Sequence, residues 1–107
     1  LSSYLMKTIK DLVEFEWDKG NIGKNKKHNV EDKEAEEVFL DDKKIVFRDS
    51  LHSKLEERFI IIGSTKRGRL LYVAYTKRDE KIRIISARSV NKKEVYIYEE
   101  KTKTTKI

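Results

Sequence analysis

The chain has 107 residues, 37% of them hydrophobic and 41% charged, with a formal net charge of +6. That length allows one domain with one modest core. The absence of cysteine excludes disulfides and thiolate metal sites, and two histidines, His28 and His52, are too few for a closed metal site. No stretch approaches the roughly 20 apolar residues of a membrane span and no signal-peptide core is evident, so a soluble, cytoplasmic protein is expected. The charge is uneven: residues 1–50 carry 10 Lys and Arg against 12 Asp and Glu, and residues 51–107 carry 15 against 7. A basic second half suits a polyanion-binding surface, and suits equally a solvated basic face.

Along the chain, Val13, Phe15 and Trp17 alternate with polar neighbours, a strand pattern centred on Phe15-Glu16-Trp17-Asp18. Trp17 is assigned to the core. Lys19 to His28 predicts at most a short, poor helix, because each glycine there costs about 1 kcal/mol against alanine. Glu31, Asp32 and Glu34 then place negative charge where a helix dipole favours it. Ala35, Val38 and Phe39 give that helix one apolar face, and Asp41-Asp42 stops it. Ile45-Val46-Phe47 reads as a strand and Arg48 to Glu57 as a polar loop. Arg58 to Ser64, Leu70 to Thr76 and Lys81 to Ala87 read as three strands, joined by connections short enough to force antiparallel neighbours. Val90 to Lys101 predicts a closing helix, although Val95-Tyr96-Ile97-Tyr98 also suits a strand. From Lys101 onward the chain reads as a basic tail.

This order defines an α+β class: an N-terminal strand and two helices, an antiparallel meander and a C-terminal helix. A single domain over 1–107 is expected, folded over about 13–100, with 1–8 and 102–107 flexible. Phe39, Phe47 and Phe59 are assigned to the core.

Four groups of residues carry a family resemblance. They are Phe15-Glu16-Trp17-Asp18 with Asn21, Lys24-Asn25 and Lys27-His28; Glu36-Glu37-Val38-Phe39 with Asp41; His52-Ser53 with Glu56-Glu57-Arg58-Phe59 and Ile62-Gly63; and Arg69-Leu70-Leu71, Tyr75-Thr76 and Arg83 to Arg88. In this order and spacing, over about residues 15–100, the chain resembles the BrnT-like ribonuclease toxins of type II toxin–antitoxin systems. Asn29 stands where that family commonly has glycine, and Val95 where its closing helix often has arginine. The resemblance implies a RelE-like fold and a toxin that cuts RNA and blocks translation. It implies neutralisation by a BrnA-like ribbon-helix-helix antitoxin, in an assembly such as a heterotetramer that touches DNA only through the antitoxin.

Cleaving RNA without a metal requires a base for the 2′-hydroxyl proton, a donor for the leaving 5′-oxygen and cations for the phosphorane. Arg83 is placed on the open face of its strand with Ile82 and Ile84 inward. Arg88 falls on the opposite alternation unless a bulge or the strand end intervenes, and is expected past the strand end, where it can turn back toward a phosphate. Either arginine can grip a phosphate with its planar fork or sit in a salt bridge. Glu57 and Arg58 open a strand and point to opposite faces, Glu57 as candidate base or as a capping ion pair. His52 and His28 are candidate acids, or solvated loop residues. Lys66, Arg67, Arg69 and Lys27 are candidates for the RNA backbone, the first three forming a cationic turn that also serves solubility. No phosphate loop, dinucleotide fingerprint or metal cluster is present, so no cofactor is expected. A non-catalytic nucleic-acid- or protein-binding module remains the alternative.

Overall fold

The computed structural model describes residues 13–105. The expected flexibility of 1–8 lies outside the described residues. Five strands, β1 (Glu14–Phe15), β2 (Ile45–Arg48), β3 (Arg58–Ser64), β4 (Leu70–Arg78) and β5 (Lys81–Ser89), form one sheet in the order β1-β5-β4-β3-β2. β2 to β5 make the expected antiparallel meander, and β1 joins β5 in parallel. The helices are α1 (Asp32–Glu37) and α2 (Lys92–Thr105).

β1 is shorter than its pattern suggested. Glu16 still donates to Ile82 O at 2.8 Å, but beyond it two asparagine side chains take over the open edge of β5. Asn21 Nδ2 donates to Ile84 O at 3.0 Å, and Asn25 Oδ1 accepts from Ala87 N at 3.0 Å. Both asparagines are buried, so their amides satisfy backbone groups that water cannot reach. The glycine-bearing stretch forms a 3-10 helix, Lys24–His28, and Asn29 after it has φ 62°, in the left-handed region. Asparagine is among the few residues other than glycine that adopt it readily.

α1 begins at the acidic cluster, with Glu34 Oε1 accepting from the Glu31 amide at 3.0 Å. It ends at Glu37, earlier than expected, and a 3-10 turn over Val38–Leu40 carries Val38 and Phe39 into the core. On this face Val30, Ala35, Val38 and Phe39 pack against Ile61, Leu71, Val73, Tyr75, Ile82, Ile84 and Ala87. Trp17 closes one side, its indole N–H donating to Glu36 Oε2 at 2.6 Å.

The opposite face has its own apolar cluster, Ile60, Ile62 and Ala74, against which Tyr72, Ile85, Val90 and Tyr98 pack. α2 supplies Tyr98 and is fastened at Asp41, whose Oδ2 accepts from Tyr98 Oη at 2.7 Å and from the Ser64 amide at 2.8 Å. The helix runs to Thr105, four residues into the expected tail. Phe47 is corrected from the core: it is 42% exposed, because β2 is an edge strand of only four residues.

Candidate functional site on the second sheet face

The sheet's pairing decides which charges meet. Ala74 pairs with Ser86 but Tyr75 pairs with Ile84, so Ile85 is an extra residue, a β-bulge. The bulge resets the alternation. Ile82, Ile84 and Ala87 all face the α1 core, while Arg83 and Arg88 both lie on the other face. Arg88 also sits within β5, not past its end as expected.

Arg58, Thr76 and Arg83 share one row across β3, β4 and β5. Two strand spacings separate the arginine backbones, about 10 Å, with only a threonine between them. Thr76 is buried and its Oγ1 donates to Glu57 O at 2.6 Å, which turns the hydroxyl away from any ligand. Arg58 Nε is buried without a hydrogen-bond partner. The Arg83 guanidinium is held on three bonds: Nη1 to Asp18 Oδ2 at 2.9 Å and to Glu16 Oε1 at 3.0 Å, and Nη2 to Asp18 Oδ1 at 2.9 Å. Beside it Arg78 forks onto Glu56 at 2.7 and 3.0 Å.

The electrostatics follow this geometry. Hydrogen bonding from Arg83, then the Gly20 amide, lowers the Asp18 carboxyl below its ordinary range. Arg78 does the same to Glu56, and Arg83 and Arg58 add to it through charge alone. Three arginines and three carboxylates therefore form one charge-balanced cluster. Glu16, Asp18, Glu56 and Arg78 were not among the sequence candidates. Their signal was available in part: if Val13, Phe15 and Trp17 face the core, Glu14, Glu16 and Asp18 face the other way. Arg78 was read as a turn residue, yet β4 continues through it.

The sequence candidates separate. Glu57 points to the α1 side and pairs with exposed Arg48 at 3.1 Å, away from Arg83. His52 lies in a 3-10 turn, Ser50–His52, with Nδ1 2.9 Å from Asp49 Oδ2. It lines a shallow cleft with Leu51, Lys54, Leu55, Glu56 and Arg58, so that cleft borders the arginine cluster. Arg88 forks onto Glu94 at 2.9 Å on both nitrogens and lies 4.1 Å over the Tyr72 ring, tying α2 to the sheet. Arg69 is spent on the fold as well: it donates to Asn29 O at 2.6 Å, Ser89 Oγ at 2.9 Å and His28 O at 3.4 Å. Those contacts put His28 near Ser89, at the other end of β5 from Arg83. Lys66 and Arg67 stand exposed beside Glu31, Glu34 and Glu37 of α1 and its N-terminal flank, and Lys27 is exposed in the first 3-10 helix. No group of three or more metal-ligating side chains occurs among the described residues, and no helix there is long and apolar enough to cross a membrane.

A small α+β domain with an arginine–carboxylate row on one sheet face is the class that these features define. The family model described as "Ribonuclease toxin, BrnT, of type II toxin-antitoxin system" matches residues 17–94, and the chain belongs to that family. Membership carries ribonuclease activity and an antitoxin partner in general terms. A comparison with curated proteins returns no match.

Proposed function

We propose that the chain is a metal-independent endoribonuclease that cuts RNA on the second sheet face and is neutralised by a BrnA-like antitoxin. The observation that carries this reading is the row Arg58–Thr76–Arg83: a buried guanidinium nitrogen without a partner stands one small residue away from a rigidly held arginine. A buried donor left unmade costs about 1–3 kcal/mol, and a phosphate oxygen would satisfy it once the Arg58 side chain shifts to expose that nitrogen. Arg58 and Arg83 would hold the scissile phosphate and stabilise the phosphorane. Glu16 keeps one carboxylate oxygen, Oε2, outside its bond to Arg83 and would take the 2′-hydroxyl proton. The 2′-oxygen then attacks phosphorus as the bond to the 5′-oxygen breaks. His52, oriented by Asp49, would return a proton to that oxygen. The products are a 2′,3′-cyclic phosphate and a 5′-hydroxyl. Lys66, Arg67 and Lys27 would contact the RNA backbone, whereas Arg69 and Arg88 hold the fold.

The test is cleavage by purified, partner-free protein with EDTA present. Cleavage at the same rate with and without EDTA, lost on a substrate with 2′-deoxyribose at the cut site, is expected. Dependence on a divalent ion, or cutting of the deoxy substrate, would overturn the mechanism. The second reading, a non-catalytic binder, draws on the carboxylates that already occupy Arg78 and Arg83. It predicts RNA binding without any cleavage, with ribosomes absent or present.

A further inference from the structure

We propose that Gly20 is a positioning residue for Arg83: lacking a side chain, it lets the guanidinium seat on Asp18 with its remaining edge turned to the substrate phosphate. This rests on the reading of Arg83 as a phosphate ligand.

The guanidinium has five N–H donors. Asp18 and Glu16 take both hydrogens of Nη1 and one of Nη2. Nε and the second hydrogen of Nη2 have no partner among the described residues. Those two form the side edge of the guanidinium, a parallel pair with the spacing of two phosphate oxygens. Gly20 stands against this arrangement. A Cβ at position 20 would lie 2.5 Å from Arg83 Nη2, 3.8 Å from its Cζ and 3.0 Å from Asp18 Oδ1. It would therefore sit almost in line with the Cζ–Nη2 bond, at the tip of the nitrogen that links the carboxylate fork to the free edge. The arginine could not keep both bonds to Asp18 while the methyl group was there.

The requirement is for space and not for backbone freedom. Gly20 lies outside the left-handed region, in contrast to Gly23 at φ 67° and Gly68 at φ 86°. An alanine can adopt its backbone without strain, so Gly20→Ala changes the seat of Arg83 and little else. Gly20 also contributes its amide, which donates to Asp18 Oδ1 at 2.7 Å and holds the carboxylate toward the arginine. One residue thus orients the anion by its N–H and admits the cation by its missing side chain.

The experiment compares wild type, Gly20→Ala, Asp18→Asn and Arg83→Ala in single-turnover RNA cleavage, with the Asp18 carboxyl followed by NMR titration in wild type and Gly20→Ala. Gly20→Ala is expected to cut about 100-fold more slowly at saturating RNA, the scale of loss that a misplacement of about 1 Å can produce. Its melting temperature should stay near wild type, and Asp18 should titrate closer to the ordinary aspartate range. Asp18→Asn, which releases the same fork without adding bulk, should also slow cleavage and serves if Gly20→Ala folds poorly. Unchanged titration of Asp18 in folded Gly20→Ala would overturn the inference. So would a wild-type rate in Gly20→Ala or in Asp18→Asn alongside an inactive Arg83→Ala. Full activity in Arg83→Ala would overturn the underlying reading of the site first, and the inference with it.

Discussion

Asp18 and Glu56 each give up both carboxylate oxygens to an arginine, and their titration records it. Arg83 lowers the first and Arg78 the second below ordinary values of 3.8 and 4.5. Depressed folded-state values stabilise the fold above the unfolded ones, and that contribution is lost as pH falls through the folded ones. The protein should therefore lose stability below about pH 4.5, and Asp18→Asn or Glu56→Gln should flatten that limb. Both carboxylates reach solvent, so the effect is expected to be modest. Urea midpoints between pH 6 and pH 2 measure it, and identical acid limbs in wild type and both variants would contradict the assignment. Arg83 on the open face with Ile82 and Ile84 inward, and Arg58 and Glu57 on opposite faces, are legible from alternation alone. The same alternation that puts Arg58 on the face of Arg83 turns Glu57 away from it, toward Arg48. Asp18 and Glu16 stayed hidden because their arginine is 65 and 67 residues distant in sequence.

At the scale of elements, α2 depends on its first turn. Asn91 Oδ1 accepts from the Glu94 amide at 2.9 Å and Glu94 Oε1 accepts from the Asn91 amide at 2.9 Å, a reciprocal cap. Burial pushes Glu94 up, but hydrogen bonds from Arg88 and the Asn91 amide bring it down overall. Asn91→Ala should cost about 1 kcal/mol, read as a lower melting temperature, with cleavage per folded molecule retained. An unchanged melting temperature would show that packing of Tyr98 and Val90 alone holds the helix. Strands β3 to β5 were readable because short charged connections separate apolar runs. The bulge at Ile85 was not, since an inserted residue in a run such as Ile84-Ile85-Ser86-Ala87 leaves no compositional mark. It nevertheless decides the arginine row, because without it Thr76 would pair with Ile84 in place of Arg83. The asparagine-capped edge of β5 is also invisible in the sequence, since the role of Asn21 and Asn25 appears only when β5 lies beside them.

For the whole molecule, the two sheet faces divide the work. One buries the α1 core and carries stability; the other is half covered by α2 and presents the arginine row. The net charge of +6 marks a basic protein, but the cluster of Arg58, Arg78 and Arg83 is balanced by Glu16, Asp18 and Glu56. The exposed Lys66–Arg67 tip is where bulk charge should act: Arg67→Ala is expected to weaken RNA binding and shallow its salt dependence. A salt slope unchanged from wild type would remove the tip from the RNA path. Single-turnover cleavage by alanine variants decides whether RNA is cut at Arg58 and Arg83. Arg58→Ala and Arg83→Ala should each lose on the order of 100-fold or more, as losing a transition-state charge contact does, while Glu57→Ala on the opposite face cuts like wild type. Wild-type rates in both arginine variants, or a dead Glu57→Ala that still folds, would contradict that placement.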